Sequence, residues 1–195
     1  MKSVKKLIVL ATFITLLFLV GCNAKADKKA WTVEDFAIYD SDGKLFNYPK
    51  GDLIYLSYHR DEDKKYQTKR GVKLYDHAKV ALSNYDLTDF YFSGDCYPVL
   101  RPINDKEKEI SQRYKKKYPD VNEAVKHTDE LEYNKMSLYV FGLFIVKDGK
   151  LIQVELDEKG IPIDDNIQEA YSISFYIKDD EIFDISFTNN GINLN

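Results

Sequence analysis

The chain is 195 residues long, 31% charged and 44% hydrophobic, with 32 acids against 28 bases and a net charge of −4. That acidic balance argues against nucleic acid as a partner, because phosphate binding needs a basic surface. Only two cysteines are present, Cys22 and Cys96. Once Cys22 is assigned to the leader described next, an intrachain disulfide framework is excluded.

Lys2, Lys5 and Lys6 precede an uncharged, mostly apolar run from Leu7 to Val20, and Gly21 and Cys22 follow at once. A positive start, an apolar core and a small-residue processing site are the layout of an export signal. The core spans fourteen residues, short of the roughly 20 needed for a permanent spanning helix. Its last four residues, Leu19-Val20-Gly21-Cys22, resemble the lipobox of bacterial lipoproteins. The resemblance implies that Cys22 is diacylated and becomes the mature N-terminus. It makes residues 1–21 a signal peptide and residues 22–30 a lipid-anchored tether on the outer side of the cell membrane. Two acyl chains would anchor stably, at about 0.8 kcal/mol per buried methylene. Ala24-Lys25-Ala26 offers a rival cleavage site of the small-x-small type, and cutting there would release a soluble protein.

If Cys22 is the anchor, the tether from Asn23 to Ala30 reaches at most about 28 Å, which keeps the domain close to the bilayer. Lys25, Lys28 and Lys29 in this tether either touch anionic headgroups, at about 1 kcal/mol each, or simply solvate it. Without the three signal lysines, 25 bases face 32 acids and the net charge becomes −7. No Pro/Gly/Ser-rich linker divides residues 31–195, so they read as one domain of ordinary size.

Within that domain, Trp31 to Tyr48 reads as a β-hairpin turning at Ser41-Asp42-Gly43. Leu53 to Tyr58 is a further strand, and the charged run Arg60 to Lys65 reads as a solvated loop. Asp76 is placed to cap a helix from about His77 to Tyr85, whose apolar stripe is Ala78, Ala81, Leu82 and Tyr85. Phe90 to Phe92 suits a strand. Asn104 to Tyr118 reads as a surface helix with acids first and bases last, as the helix dipole favours. Asp120 and Glu123 form a variant capping box for a second helix burying Val121, Ala124, Val125 and Leu131. Leu138 to Val146 suits a central strand, turned by Asp148-Gly149 into Leu151 to Leu156. Tyr171 to Ile177 alternates, with Ile173, Phe175 and Ile177 on one face and Ser172, Ser174 and Tyr176 on the other. Asp179-Asp180 turns it into Ile182 to Phe187. Together these predict an α+β domain, an antiparallel β-sheet built from hairpins with about three helices packed on one face.

The stretch Thr68-Lys69-Arg70-Gly71-Val72-Lys73-Leu74-Tyr75-Asp76, leading into Ala78, Val80, Leu82 and Tyr85, resembles the helix-then-sheet modules of β-lactamase inhibitor protein and of small outer-membrane assembly lipoproteins. The resemblance covers about twenty residues and implies a short helical layer on an antiparallel sheet that binds proteins without catalysis. The chain departs from the pattern at Tyr75, where a glycine would open the turn.

Candidate chemistry is sparse. No phosphate-loop, dinucleotide, zinc-protease or Gly-x-Ser-x-Gly pattern occurs, and of the two Ser-x-x-Lys matches, Ser3 to Lys6 lies in the signal and Ser41 to Lys44 spans the predicted hairpin turn. No cofactor is expected. Asp40, Asp42 and Gly43 resemble a calcium-loop fragment, but Gly51 stands where the twelfth-position glutamate belongs, so a hairpin turn is the better reading. His59 with Asp61, Glu62 and Asp63 offers a metal site or an acid–base pair, with His59 and Asp61 on one face if the strand continues. Cys96 is either a small buried hydrophobe or a thiol paired with a histidine. His77 and His127 read as ordinary helix residues. Lys106, Arg113, Lys116 and Lys117 share a helix face that either grips an anionic surface or is merely solvated, with Glu109 interrupting it. Fifteen tyrosines and eleven phenylalanines suit β-sheet or a binding face. The sequence therefore predicts a lipid-anchored envelope protein that binds a protein or a cell-wall component without catalysis. The alternatives are an envelope hydrolase using His59 or Cys96, and a structural or immunity-type lipoprotein.

Overall fold

The computed structural model describes residues 30–49, 53–95, 101–157, 162–163 and 170–190. All of these except Ala30 belong to one compact unit, Trp31–Asn195. The chain runs through a 3-10 turn (Val33–Phe36), β1 (Ile38–Tyr39), β2 (Leu45–Asn47), β3 (Ile54–Ser57), a second 3-10 turn (Asp61–Lys65), β4 (Gln67–Thr68), α1 (Ala78–Tyr85), β5 (Phe90–Gly94) and α2 (Asp105–Lys117). Two short helices, α3 (Val121–Ala124) and α4 (Asp129–Glu132), flank a third 3-10 turn, and β6 (Met136–Lys147), β7 (Lys150–Gln153), β8 (Ala170–Lys178) and β9 (Glu181–Asn190) complete the unit.

The strands form two antiparallel sheets, giving an α+β fold. The larger has the order β3-β9-β8-β6-β5, with β7 also paired to β6, and the smaller has the order β2-β1-β4. Strand β6 is long because Leu138 to Val146 is apolar or aromatic almost throughout, and it pairs with β8 from Leu138 opposite Ile177 to Phe144 opposite Tyr171. Its turn into β7 uses Asp148 and Gly149 (φ 51° and 72°), and the β8–β9 turn uses Asp179 and Asp180 (φ 49° and 64°). Two successive positive φ values are what a two-residue hairpin matched to strand twist requires.

The period-two alternation sorts the large sheet into two unlike faces. One carries Leu138, Val140, Phe144, Ile173, Phe175, Ile177, Ile185 and Phe187, all fully buried or nearly so. Apolar buried residues of all four helices, among them Ala78, Tyr85, Tyr114, Val121 and Leu131, join the same cluster, as does Val125 of the third 3-10 turn. Gly142 lies on that face because a Cβ there would come within 2.7 Å of the Phe144 ring. The opposite face carries serines and tyrosines and, beside them, a smaller apolar cluster at Leu143 and Ala170 with Phe141 and Ile145. Across it runs one row in register, Tyr91, Tyr139, Tyr176, Asp184 and Ser57.

Four expectations change. The first part of the expected Trp31–Tyr48 hairpin, Val33–Phe36, is a 3-10 turn, so the hairpin is confined to Ile38–Asn47. The second helix breaks into α3, the 3-10 turn Val125–His127 and α4. The break lies beside Thr128, whose hydroxyl is tied to the β8–β9 turn by the Asp179 N–H at 2.7 Å. The cap of α1 is His77, whose Nδ1 accepts the Lys79 N–H at 3.2 Å, while Asp76 accepts the Lys73 N–H at 2.8 Å. Arg60 to Lys65 is not a plain solvated loop, because Asp61–Lys65 forms a 3-10 helix with Asp63 buried. Helix α2 opens on a capping box: Glu107 N–H donates to Asn104 at 3.0 Å and Asn104 N–H to Glu107 at 2.8 Å.

The N-terminal end of the unit is fastened by a buried ion pair. Arg70 donates to both Asp35 oxygens, at 2.8 and 3.0 Å, and its guanidinium lies 4.4 Å from the Trp31 ring centre. Trp31 itself packs 4.0 Å from Phe144.

Candidate functional site

Strand β3 is an edge strand, and an edge exposes a row of unpaired backbone groups. The Tyr58 N–H donates to the Phe183 C=O at 2.9 Å, so by antiparallel alternation Ile54 and Leu56 face β9 while Tyr55 and Ser57 face outward. The following turn closes that outward edge. Asp63 accepts the Ser57 N–H at 2.9 Å, the Arg60 N–H donates to the Ser57 C=O at 3.0 Å, and the Arg60 guanidinium donates to the Tyr55 C=O while pairing with Asp63. This explains why an aspartate in so charged a run is buried.

The same turn holds its cations over aromatic rings. Arg60 lies 4.5 Å from the Tyr55 ring centre, Lys64 5.4 Å from Tyr75 and Lys65 5.2 Å from Tyr66. Phe46 of β2 stacks on Tyr66 at 4.0 Å. A five-residue 3-10 turn is about 10 Å long, so these pairs make one patch. Its exposed apolar members are Tyr55 (43% exposed), Tyr75 (45%) and Phe46 (55%). Tyr75 sits at φ 66°, the left-handed region that bulky L-residues avoid. The conformation is held by the Tyr75 N–H donating to Ile182 C=O at 2.8 Å and the phenol donating to Tyr58 C=O at 3.3 Å. The sequence pattern leads to a glycine at this position, and the chain instead carries a strained, exposed tyrosine.

Beneath the patch lies Asp184, opposite Ser57 in the β3–β9 ladder. Burial pushes its carboxyl up to about 6, against the Ser57 hydroxyl, the Tyr58 N–H and Arg60, which favour the charged form; Asp63 adds like-charge repulsion. Its Oδ1 is buried without a hydrogen-bond partner among the described residues, as is the Arg60 Nε. One feature in the sequence points to Asp184: it is the single charge inside the apolar run Ile182 to Phe187.

The residues singled out from sequence fall as follows. His59 is exposed and follows the strand's end, with its ring 3.9 Å from Tyr58. The chain leaves strand geometry after Ser57, so His59 and Asp61 do not share a strand face. Asp61 is engaged by Lys64 at 2.6 Å and Asp63 by Arg60 and Ser57. Among the described residues, no group of three or more His, Cys, Asp or Glu is placed to hold a metal ion. His77 caps α1, with its Nε2 2.7 Å from Asp180, and His127 stacks on Tyr118 at 4.4 Å. Asp40 accepts the Asp42 and Lys44 N–H groups at 3.0 and 2.9 Å, as a hairpin turn does. On α2, Lys117 pairs with Glu130 at 2.7 Å, and Lys106, Arg113 and Lys116 are exposed. Cys22 and Cys96 lie outside the described residues. No helix among the described residues is long and apolar enough to cross a membrane.

Neither a family model, nor a curated protein, nor a solved structure matches this chain.

Proposed function

We propose that the chain is an exported cell-envelope protein, anchored through lipid on Cys22, that works as a non-enzymatic binding module for a protein or a cell-wall component. Its binding surface is the patch around the Asp61–Lys65 turn. The observation that carries this reading is Tyr75. A bulky ring held exposed in a left-handed backbone costs about 1–2 kcal/mol, and such strain gathers at functional sites. The anchor rests on the Leu19-Val20-Gly21-Cys22 motif, with residues 22–30 as its tether.

The test is membrane fractionation of the chain and its Cys22→Ser variant, followed by in-cell crosslinking and mass spectrometry of what co-purifies. Labelled palmitate on the wild type alone, with loss of the variant from the membrane fraction, supports the anchor; equal membrane retention overturns it. A reproducible crosslinked partner or wall fragment, lost in Tyr75→Ala, supports the binding role. Substrate turnover by the purified chain that disappears in His59→Ala overturns it in favour of a hydrolase.

A further inference from the structure

Resting on the reading of Cys22 as a lipid anchor, we propose that the outer face of α2, with Lys106, Arg113, Lys116 and the neighbouring Tyr133, docks on anionic phospholipid headgroups of the anchoring membrane. Charge segregation is the first ground. Residues 31–195 hold 22 bases against 31 acids, whereas α2 alone holds six bases against three acids. A basic helix on so acidic a domain makes the molecule electrostatically polar, and an anionic surface attracts that side while repelling the rest. Most other charges of the helix are matched within the fold. Lys108 pairs with Asp105 at 2.7 Å, Lys117 with Glu130 at 2.7 Å and Glu107 with Arg101 at 2.6 Å, and Lys115 lies over the Phe90 and Tyr91 rings. Lys106, Arg113 and Lys116 are exposed and enter no ion pair among the described residues.

Placement on the helix is the second ground. Helix α2 buries Glu107, Ser111 and Tyr114, which turns positions 106, 109, 113 and 116 outward at the three- and four-residue spacing of one face. Glu109 is the opposing charge there, so two cations stand in excess. The face continues into a groove against α4, lined by Ile110, Arg113, Lys117, Glu130, Leu131 and Asn134. Asp129 and Lys135, which bracket the α4 wall in the chain, are both exposed and of opposite sign. The third ground is Tyr133, next to Asn134 and 91% exposed. Tyrosine is favoured at headgroup depth, where its ring meets hydrocarbon and its hydroxyl meets water. An anionic wall polymer would answer the cations but offers no apolar layer to such a ring.

The test is lysine footprinting of the full-length lipidated chain, purified from membranes and incorporated into vesicles of phosphatidylcholine alone or mixed with phosphatidylglycerol. An activated acetyl ester marks exposed amines, which mass spectrometry reads residue by residue, with the exposed Lys79 of α1 as control. Each basic residue near an anionic surface is favoured about fivefold. An excess of two should therefore slow acetylation of Lys106 and Lys116 by about tenfold or more in the anionic vesicles and leave Lys79 unchanged. The slowing should vanish in molar salt, where the screening length is about 3 Å, and in Arg113→Glu, and it should weaken in Tyr133→Ala. Equal rates for Lys106 and Lys116 in the two vesicle types overturn the docking while the anchor stands. Equal slowing of all three lysines overturns α2 as the contact face. Protection by soluble polyglycerol phosphate, without protection by phosphatidylglycerol, overturns the membrane as the occupant. A chain that sediments with neither vesicle type overturns the anchor itself, a result read before any labelling.

Discussion

Asp184 stands opposite Ser57 across the β3–β9 ladder, and Ser57 in turn gives its backbone N–H to Asp63 at 2.9 Å. One strand residue therefore joins two carboxylates that repel each other beneath the aromatic patch. Because Asp184 titrates near 6 in the fold against an ordinary 3.8, with burial the main cause, the folded state holds its proton more tightly than the unfolded chain. The sign follows: the penalty for the charged form is full above about pH 6 and is relieved as pH falls towards 4. Acidification from pH 7 to 5 should stabilise the fold by on the order of 1 kcal/mol through this group. Urea unfolding at both pH values tests it, since Asp184→Asn should remove that gain. Parallel pH curves for wild type and variant would exclude it. Below this window the trend reverses, because Glu107 and Glu130 are held below the usual carboxylate range by Arg101 and Lys117.

The Asp35–Arg70 pair is buried on both sides, with side chains 4% and 6% exposed. Removing either partner alone leaves an uncompensated charge in the core. Asp35→Ala should cost about 3–5 kcal/mol, read as a drop in the urea midpoint. The double variant Asp35→Ala/Arg70→Leu should be less damaged than the sum of the two single changes. Additive losses would mean that the pair is not coupled.

Tyr75→Gly should separate stability from function. Glycine relieves the left-handed backbone, a gain of about 1 kcal/mol partly offset by greater freedom in the unfolded chain. The melting temperature should hold or rise while partner capture falls. A large loss of stability instead would show that the ring is a structural prop.

Gly94→Ala should destabilise the α2 start. A Cβ at Gly94 would run into the Arg101 guanidinium, which Glu107 holds at 2.6 Å and Asp95 at 3.1 Å. Overpacking against a fixed group costs about 1–3 kcal/mol, visible as faster hydrogen exchange in the first turn of α2. Unchanged exchange there would mean that Arg101 swings aside freely.

The α+β architecture was legible because local rules agreed with it. Leu138 to Val146, the Ile173-Phe175-Ile177 alternation and the turn pairs Asp148-Gly149 and Asp179-Asp180 each name a strand or hairpin without reference to the rest of the chain. The acids-first, bases-last order of Asn104 to Tyr118 and the Ala78-Ala81-Leu82-Tyr85 stripe did the same for helices. The site was less legible. His59 attracted notice through its residue type, whereas the patch depends on Tyr55, Tyr75 and Phe46, which come from separate elements and share no motif.

By itself, the sequence determined the export-signal pattern around Cys22 as an expectation, the strand and helix periodicities, and the acidic charge balance, since each is a property of neighbouring residues. Only the tertiary structure decided that the Arg60–Lys65 run folds back to close the edge of β3. It alone brought Asp184 opposite Ser57 and set Tyr75 in a left-handed turn facing solvent. Those outcomes depend on strand order and register, which bring together residues more than a hundred positions apart, and no local spacing in the chain encodes such a pairing.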